Sequence, residues 1–292
     1  MSQPLTDDQI QRILQGIKIP PQPQILVDLQ IEQIMPEPDL QRIAELIQQD
    51  VGLSGTILKV VNSSFFGLKN RITSINQAVN LIGMSSVINL VNGLSIKSQM
   101  SDETIVNMNR FWDTATDIAQ VATQIAKQVG YPNPDMAYLL GLFHNAGIPL
   151  LMSRFDNYLD IMERSYAHPD HRVVDVENAE LDTNHAVIGY YTAKSWHLPK
   201  ILCDVIAEHH SASRYFNAGH QKDSEAKTLL AILKMAEHVC GNYRILGKQQ
   251  EDREWEMIGE EVLTYLGLGS YDLEQMEANF EEMGIGFRNY RW

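Results

Sequence analysis

Phe111, Ala115, Ile118, Ala119, Ala122, Ile125, Ala126 and Val129 recur every three or four residues and stop at Gly130. An apolar stripe with that period lies along one face of an α-helix and fits no strand, whose faces repeat every second residue. The same period returns through the chain. Leu40, Ile43, Ala44 and Ile47 follow Pro38, and Leu53, Ile57, Leu58, Val60 and Val61 make a second short face. Ile75, Ala78, Val79 and Ile82 make a third, with Gly83 placed to end it. Asn133 and Pro134 open "NPDMAYLLGLFHN" as cap and first helical residue. Further helices are expected over 156–166, 184–196, 200–210, 224–240, 254–266 and 272–282. Neither a strand series nor a Gly-rich phosphate loop nor an internal repeat interrupts them. The pattern predicts an all-α multi-helix bundle.

Punctuation is concentrated near the N-terminus. Thr6 with Gln9 and Ser74 with Gln77 have capping-box spacing. Pro20, Pro21 and Pro23 in "IPPQPQ" forbid a continuing helix and set the path from the first helix into the bundle. The polar stretch "KSQMSDETIVNMN", 97–109, separates two helical regions, so the expected division is 1–103 and 104–292. All nine histidines lie at or after position 144.

The formal net charge of -14, without a basic run, excludes a nucleic-acid platform, which needs clustered Lys and Arg against phosphate. Glutamates gathered toward the C-terminus read as a solvated acidic surface. Cys203 and Cys240 lack CxxC spacing and sit in apolar helical pattern, which implies buried thiols in a reducing compartment. "MSQPLTDDQIQRIL" lacks the basic-then-apolar order of a signal peptide. No apolar run approaches the roughly 20 residues that span a bilayer. A soluble, cytoplasmic protein with no membrane or nucleic-acid partner is expected.

Several polar residues fall on apolar faces. His144 shares a stripe with Leu140, Gly147 and Leu151, and His209 shares one with Leu202, Val205 and Ile206. His185 opens a helix after "LDTN", and Glu237 shares a face with Leu230 and Leu233. A buried, unpaired carboxylate costs several kcal/mol, so Glu237 is expected to meet a cation, a protonated histidine or a metal. Imidazole with carboxylate is a natural ligand set for zinc, iron, manganese or nickel. The competing account is structural: a single inward histidine is usually a hydrogen-bonded core residue.

The ordered set "FWDTAT", "FHNAG", "NHAVIGYYTAKSWHLP" and "IAEHH" resembles the HD-domain superfamily, and within it the HDOD output-domain family. "IPPQPQIL", "LIQQDVGLSGTILKVVNSSFFG" and "ITSINQAVNLIG" resemble the family's N-terminal helical subdomain, which implies an HDOD subdomain packed on an HD-like one. Active HD hydrolases bind divalent metal through a histidine, an adjacent His-Asp pair and a later Asp, and HD-GYP phosphodiesterases add further histidines. Carried onto this chain, the resemblance places the first histidine at Thr114 and the His-Asp pair at His144 and Asn145. It places the additional histidines at His185, His209 and His210, and the late acid at or near Glu237. Thr114 offers only a neutral hydroxyl, and Asn145 lacks the charge with which a carboxylate bridges two metals.

The resemblance therefore implies a regulatory, signal-transduction protein, non-catalytic, acting as scaffold or sensor on protein partners bound in trans. No cofactor is required in that reading, although a divalent metal (Fe, Mn, Zn or Ni) at low occupancy on His144, His185, His209, His210 and Glu237 fits the surviving residues. A nucleotide-like ligand and a homo-oligomer both stay open. The alternative is a metal-dependent phosphohydrolase acting on a nucleotide or cyclic dinucleotide. In a third reading the histidines only stabilise the core.

Overall fold

The structure is a computed structural model, and it describes residues 7–62, 71–98, 109–168, 171–216 and 224–285. Those residues are helices and their connections, with no strand among them. They divide into two compact units, one formed by residues 21–101 and the other by 1–20 together with 102–292.

The smaller unit contains α2 (Gln24–Gln33), α3 (Leu40–Gln48), α4 (Val51–Val61), α5 (Ile75–Ile82) and α6 (Met84–Ser98). Its core is the set of stripes read above: Ile43, Ala44, Ile47, Ile57, Val61, Ile75, Ala78 and Val79 are buried, joined by Leu26 and Leu29 of α2. Asp39 caps α3 through the N–H of Gln41, and Asp50 caps α4 through that of Leu53. Ser74 caps α5 as expected, accepting from Gln77 N–H, but the Gln77 side chain accepts from Thr73 N–H, one residue before the cap. Gly83 ends α5 with φ +83°, a conformation that favours glycine. Asn62 closes α4: its amide donates to Leu58 O and Ile72 O and its oxygen accepts from Ile72 N–H. Thr6, the cap of the expected Thr6–Gln9 box, lies outside the described residues.

The larger unit begins with α1 (Asp7–Leu14) and resumes with α7 (Asn109–Gln128), α8 (Pro134–Phe143), α9 (Gly147–Met152), α10 (Tyr158–Ala167) and α11 (Val173–Leu181). It continues through α12 (His185–Ser195), α13 (Lys200–Glu208), a 3₁₀ turn at His209–Ser211 and α14 (Ser213–Phe216). It closes with α15 (Ser224–Cys240), α16 (Asn242–Gly247), α17 (Arg253–Leu266) and α18 (Ser270–Glu282). The first 20 residues group here rather than with residues 21–103. Arg154 Nε donates to Gln15 O at 3.2 Å, and the indole N–H of the fully buried Trp196 donates to Pro20 O at 2.9 Å. These bonds pin both ends of the proline segment's approach.

Helix α7 is buried on more than the expected stripe: Val121 and Thr123 are covered as well, because α8 and α15 pack against it from different sides. Its crossing with α8 is tight. A Cβ on Gly141 would stand 2.6 Å from Ala119 Cα, so only glycine admits that approach. A second close crossing sets the functional residues. A Cβ on Gly147 would meet His185 O at 2.1 Å, so the turn carrying His144 and Asn145 lies directly on the first turn of α12. Cys203 and Cys240 are buried free thiols, as expected, and burial pushes both thiol pKa values up. No single helix among the described residues is long and apolar enough to cross a membrane, and α5 with α6 passes the same test only as a pair bent by 117°.

Candidate metal centre

Three helix ends deliver the four histidines. His144 caps the C-terminus of α8, His185 opens α12, and His209 and His210 follow α13. Consecutive residues on a regular helix point about 100° apart, so His209 and His210 should not both face inward. Both are nevertheless buried, at 0% and 3% exposure, where α13 gives way to a 3₁₀ turn and both rings lie against His185. His209 Nδ1 takes the Ile206 carbonyl in the process, at 2.7 Å.

The rings converge. His185 Nε2 lies 3.1 Å from His210 Nε2 and 3.4 Å from His209 Nε2, and the three ligand atoms lie within 4.8 Å of one another. His144 stands edge-on to His209 with ring centroids 5.5 Å apart. Each Nδ1 points away from the centre, to Gly141 O for His144 (2.8 Å), Ile206 O for His209, Glu177 Oε2 for His185 (2.6 Å) and Glu254 Oε2 for His210 (3.1 Å). A carbonyl oxygen can only accept, so Nδ1 carries the proton in His144 and His209, and Nε2 is left as a lone pair. The carboxylates assign the same tautomer to the other two rings.

Protonation is opposed in this place. Burial first, then the neighbouring His210 and the Lys234 cation, holds the His209 pKa well below its usual value. Burial, Lys234 and His185 do the same to His210. Neutral rings presenting lone pairs to one another are the state a metal requires. Three nitrogens bound at about 2.0–2.1 Å to one tetrahedral ion stand roughly 3.3–3.4 Å apart, close to the two separations from His185. The residues therefore fit a first-row divalent ion.

Around this trio lies a set that sequence reading did not single out. Glu177, fully buried on α11, accepts from His185 Nδ1, from His185 backbone N–H at 3.2 Å and from Tyr158 OH at 2.5 Å. Such a carboxylate fixes ring orientation and raises ligand basicity. Lys234, 4% exposed on α15, places Nζ 2.8 Å from Glu237 Oε2 and 3.0 Å from Glu254 Oε2. Glu237 thus meets the cation that its burial demanded. Although burial alone would raise it, the Lys234 ammonium, with His144 next, holds the Glu237 carboxyl well below the usual range. Burial pushes the Glu254 carboxyl the same way and there outweighs Lys234, so it is raised.

Of the expected ligands, His185, His209 and His210 come together as a set. His144 and Glu237 form a neighbouring pair, with His144 Nε2 3.4 Å from Glu237 Oε1. His144 Nε2 has no hydrogen-bond partner, and Asn145 Oδ1 is likewise open. Thr114 is buried on α7. His197 is exposed, and His238 stacks on Trp255 at 4.6 Å and donates to Asp252 at 2.9 Å. A cleft reaches His210 between walls that include Tyr166, Arg172, Tyr243 and Arg253. It gives the centre a route to solvent.

The described residues are all helical, and their larger unit gathers an inward histidine cluster, in keeping with the resemblance read from the sequence. A family profile described as the HDOD domain matches residues 19–212, and the chain belongs to that family. Among solved structures, an HDOD domain protein of unknown function from Geobacter sulfurreducens superposes with TM-score 0.67 at 19% identity, over 93% of this chain and 92% of that one. A protein from Shewanella amazonensis, named as a candidate phosphohydrolase, gives 0.65 at 19% identity over 94% of each chain. A protein from Marinobacter aquaeolei, named as a candidate signal-transduction protein, gives 0.62 at 20% identity over 92% of this chain and 58% of that one. At such identities these likenesses establish the fold alone. The matched segment spans 38% of one curated relative and 26% of another.

Proposed function

We propose that this chain is a regulatory HDOD protein whose larger unit holds one divalent transition-metal ion at His185, His209 and His210. The observation that carries this reading is the mutual facing of three buried Nε2 atoms, each with its Nδ1 turned outward onto an acceptor. With the protons on Nδ1, a cation satisfies the three nitrogens that otherwise face one another in a dry interior. Family membership and the signalling name of the Marinobacter aquaeolei protein support the regulatory side. The metal would tie α12 to the end of α13, so its presence sets the rigidity of the surface those helices offer to partner proteins.

Phosphate-ester turnover is not expected. Hydrolysis needs a metal-activated water and balanced charge on the phosphoryl oxygens. Thr114 and Asn145 supply neither an imidazole nor a carboxylate where the HD motif has them. Elemental analysis of protein purified without chelator tests the reading. About one equivalent of Fe, Mn, Zn or Ni per chain, absent from His209→Ala, is the expected result, and metal-free wild-type protein that stays metal-free after dialysis against Mn²⁺ and Zn²⁺ overturns it.

The phosphohydrolase reading has one observation in its favour, the cleft at His210 with Arg172 and Arg253 on its walls. Steady Mn²⁺-dependent hydrolysis of nucleotides or cyclic dinucleotides, lost in His144→Ala, would establish it instead. Arg172 is already committed to Asp175 and to Ser211, which leaves it little freedom to grip phosphate.

A further inference from the structure

We infer that the Lys234 ammonium holds the place of a second cation, so that the centre accepts one metal ion and not two. The inference deepens the metal-site reading and rests on it for the first ion, but concerns a different position, bounded by Glu237, Glu254 and His144.

Three observations support it. First, Lys234 is a buried cation with two carboxyl groups against its nitrogen, at 2.8 Å and 3.0 Å, in a narrow cavity that Tyr166 and Asn242 also line. Buried Lys is rare, and when it occurs it occupies a site built for positive charge. Second, a neighbouring ligand atom is left open. His144 Nε2, on a residue 1% exposed, has no hydrogen-bond partner, while Glu237 meets the Lys234 ammonium with Oε2 at 2.8 Å and accepts from Asn242 Nδ2 with Oε1 at 3.0 Å. His144 Nε2 faces Glu237 Oε1 at 3.4 Å while its Nδ1–H is held by Gly141 O. An open imidazole nitrogen beside a carboxylate whose only charged partner is the ammonium is a half-built divalent site.

Third, the ammonium is joined to the histidine trio through a shared group. Glu254 accepts from both Lys234 Nζ and His210 Nδ1. In two-metal phosphoesterases a pair of ions about 3.5–4 Å apart clamps the attacking and leaving oxygens. An ammonium neutralises carboxylates but offers no open coordination position and activates no water. Lys234 thus satisfies the electrostatics of a two-cation site and withholds its chemistry.

The test is metal stoichiometry of the full chain, stripped with chelator, dialysed against Mn²⁺ and read by elemental analysis after gel filtration. Wild type is expected to hold one ion per chain and Lys234→Met two. Lys234→Met combined with Glu237→Gln should return to one, and Lys234→Met combined with His209→Ala should keep one, at the second position. An unchanged count in Lys234→Met overturns the inference and leaves the trihistidine reading intact. If wild type holds none while Lys234→Met holds one that Glu237→Gln removes, the trihistidine reading fails and this inference stands. Should Lys234→Met be unfolded without metal, Mn²⁺ is expected to restore its helical circular dichroism. Failure to refold in Mn²⁺ also overturns the inference, because it shows that a divalent ion cannot replace the ammonium.

Discussion

Glu177 accepts hydrogen bonds from His185 Nδ1 at 2.6 Å and from Tyr158 OH at 2.5 Å, with no exposure to solvent on the carboxylate. One side chain on α11 therefore orients a ligand on α12 and ties it to α10. Glu177→Gln keeps the shape but can accept only through one oxygen, so His185 loses its fixed tautomer. Metal affinity is expected to fall about 10- to 100-fold, by comparison with other outer-shell changes. Glu177→Ala orphans buried donors as well, and each is expected to cost about 1–3 kcal/mol of stability. Isothermal titration with Zn²⁺ and urea unfolding separate the two effects. Equal Zn²⁺ affinity in wild type and Glu177→Gln would show that the carboxylate serves packing alone.

Acid should destabilise the metal-free protein in a defined window. His209 and His210 have folded-state pKa values held well below the usual His value of about 6.5, chiefly by burial. The unfolded chain takes up protons near pH 6.5 while the native state still refuses them. Stability is therefore full above about pH 6.5 and declines as pH falls toward the lowered folded-state values, by about 1.4 kcal/mol per pH unit for each ring. Urea midpoints of chelator-treated protein at pH 7.5, 6.0 and 5.0 give this slope. His209→Leu should lose one ring's share, and an identical slope in that variant would remove His209 from the account.

The helices were legible where the apolar stripe was long and its ends were marked. The 224–240 helix and α7 carry many apolar positions, and Gly130 and Gly83 stop their helices with positive φ. α11 left no such mark. It spans nine residues, and the buried face formed by Val173, Val174, Glu177 and Leu181 contains a carboxylate that reads as solvent-facing. Missing that helix meant missing Glu177.

The site was legible as a set of inward histidines, and less so as a charge network. Lys234 stands three residues before Glu237 in "LLAILKMAEH", a spacing that places both on one helix face, so a signal for the ion pair was present. Glu254 gave none, because its position on the first turn of α17 is what an N-terminal acid normally occupies for the helix dipole. Only the tertiary approach of α17 to α15 makes it a partner of His210 and Lys234. Periodicity alone turned only His209 inward; His210 entered the expected set through the family resemblance.

Backbone proximity at Gly147 gives a sharper test of how the histidines are positioned. A methyl group there would lie 2.1 Å from His185 O and 2.9 Å from Gly189 N, both main-chain atoms without a rotamer to yield. Gly147→Ala is expected to cost stability at the upper end of the roughly 1–3 kcal/mol typical of overpacking, and to weaken Zn²⁺ binding by displacing His185. Gly55 in α4 is the control: its added methyl meets nothing within 4 Å. Gly55→Ala should stabilise by about 0.5–1 kcal/mol through helix propensity. Thermal unfolding of both variants reads the contrast, and a neutral Gly147→Ala would mean that α9 and α12 do not cross as described.

Restoring the lost donors asks whether α7 faces the centre. Thr114 is 3% exposed on α7, and Asn145 is 2% exposed with its side-chain oxygen unpartnered. Asn145→Asp changes shape least and places a charge in a dry position, so on its own it should destabilise metal-free protein by several kcal/mol. Bound Mn²⁺ should recover most of that loss. Thr114→His adds volume to a packed helix face, with an overpacking cost of about 1–3 kcal/mol, and contributes an imidazole if the face points to the centre. Together the two changes are expected to raise Mn²⁺ affinity by at least about tenfold over wild type, a gain of about 1.4 kcal/mol. The comparison must be made on folded protein, by titration at a temperature below the unfolding transition of each variant. Affinity that rises with Asn145→Asp alone and not further with Thr114→His would place Thr114 off the centre. No rise in either would place the divalent ion wholly among His185, His209 and His210, beyond reach of the turn that carries Asn145.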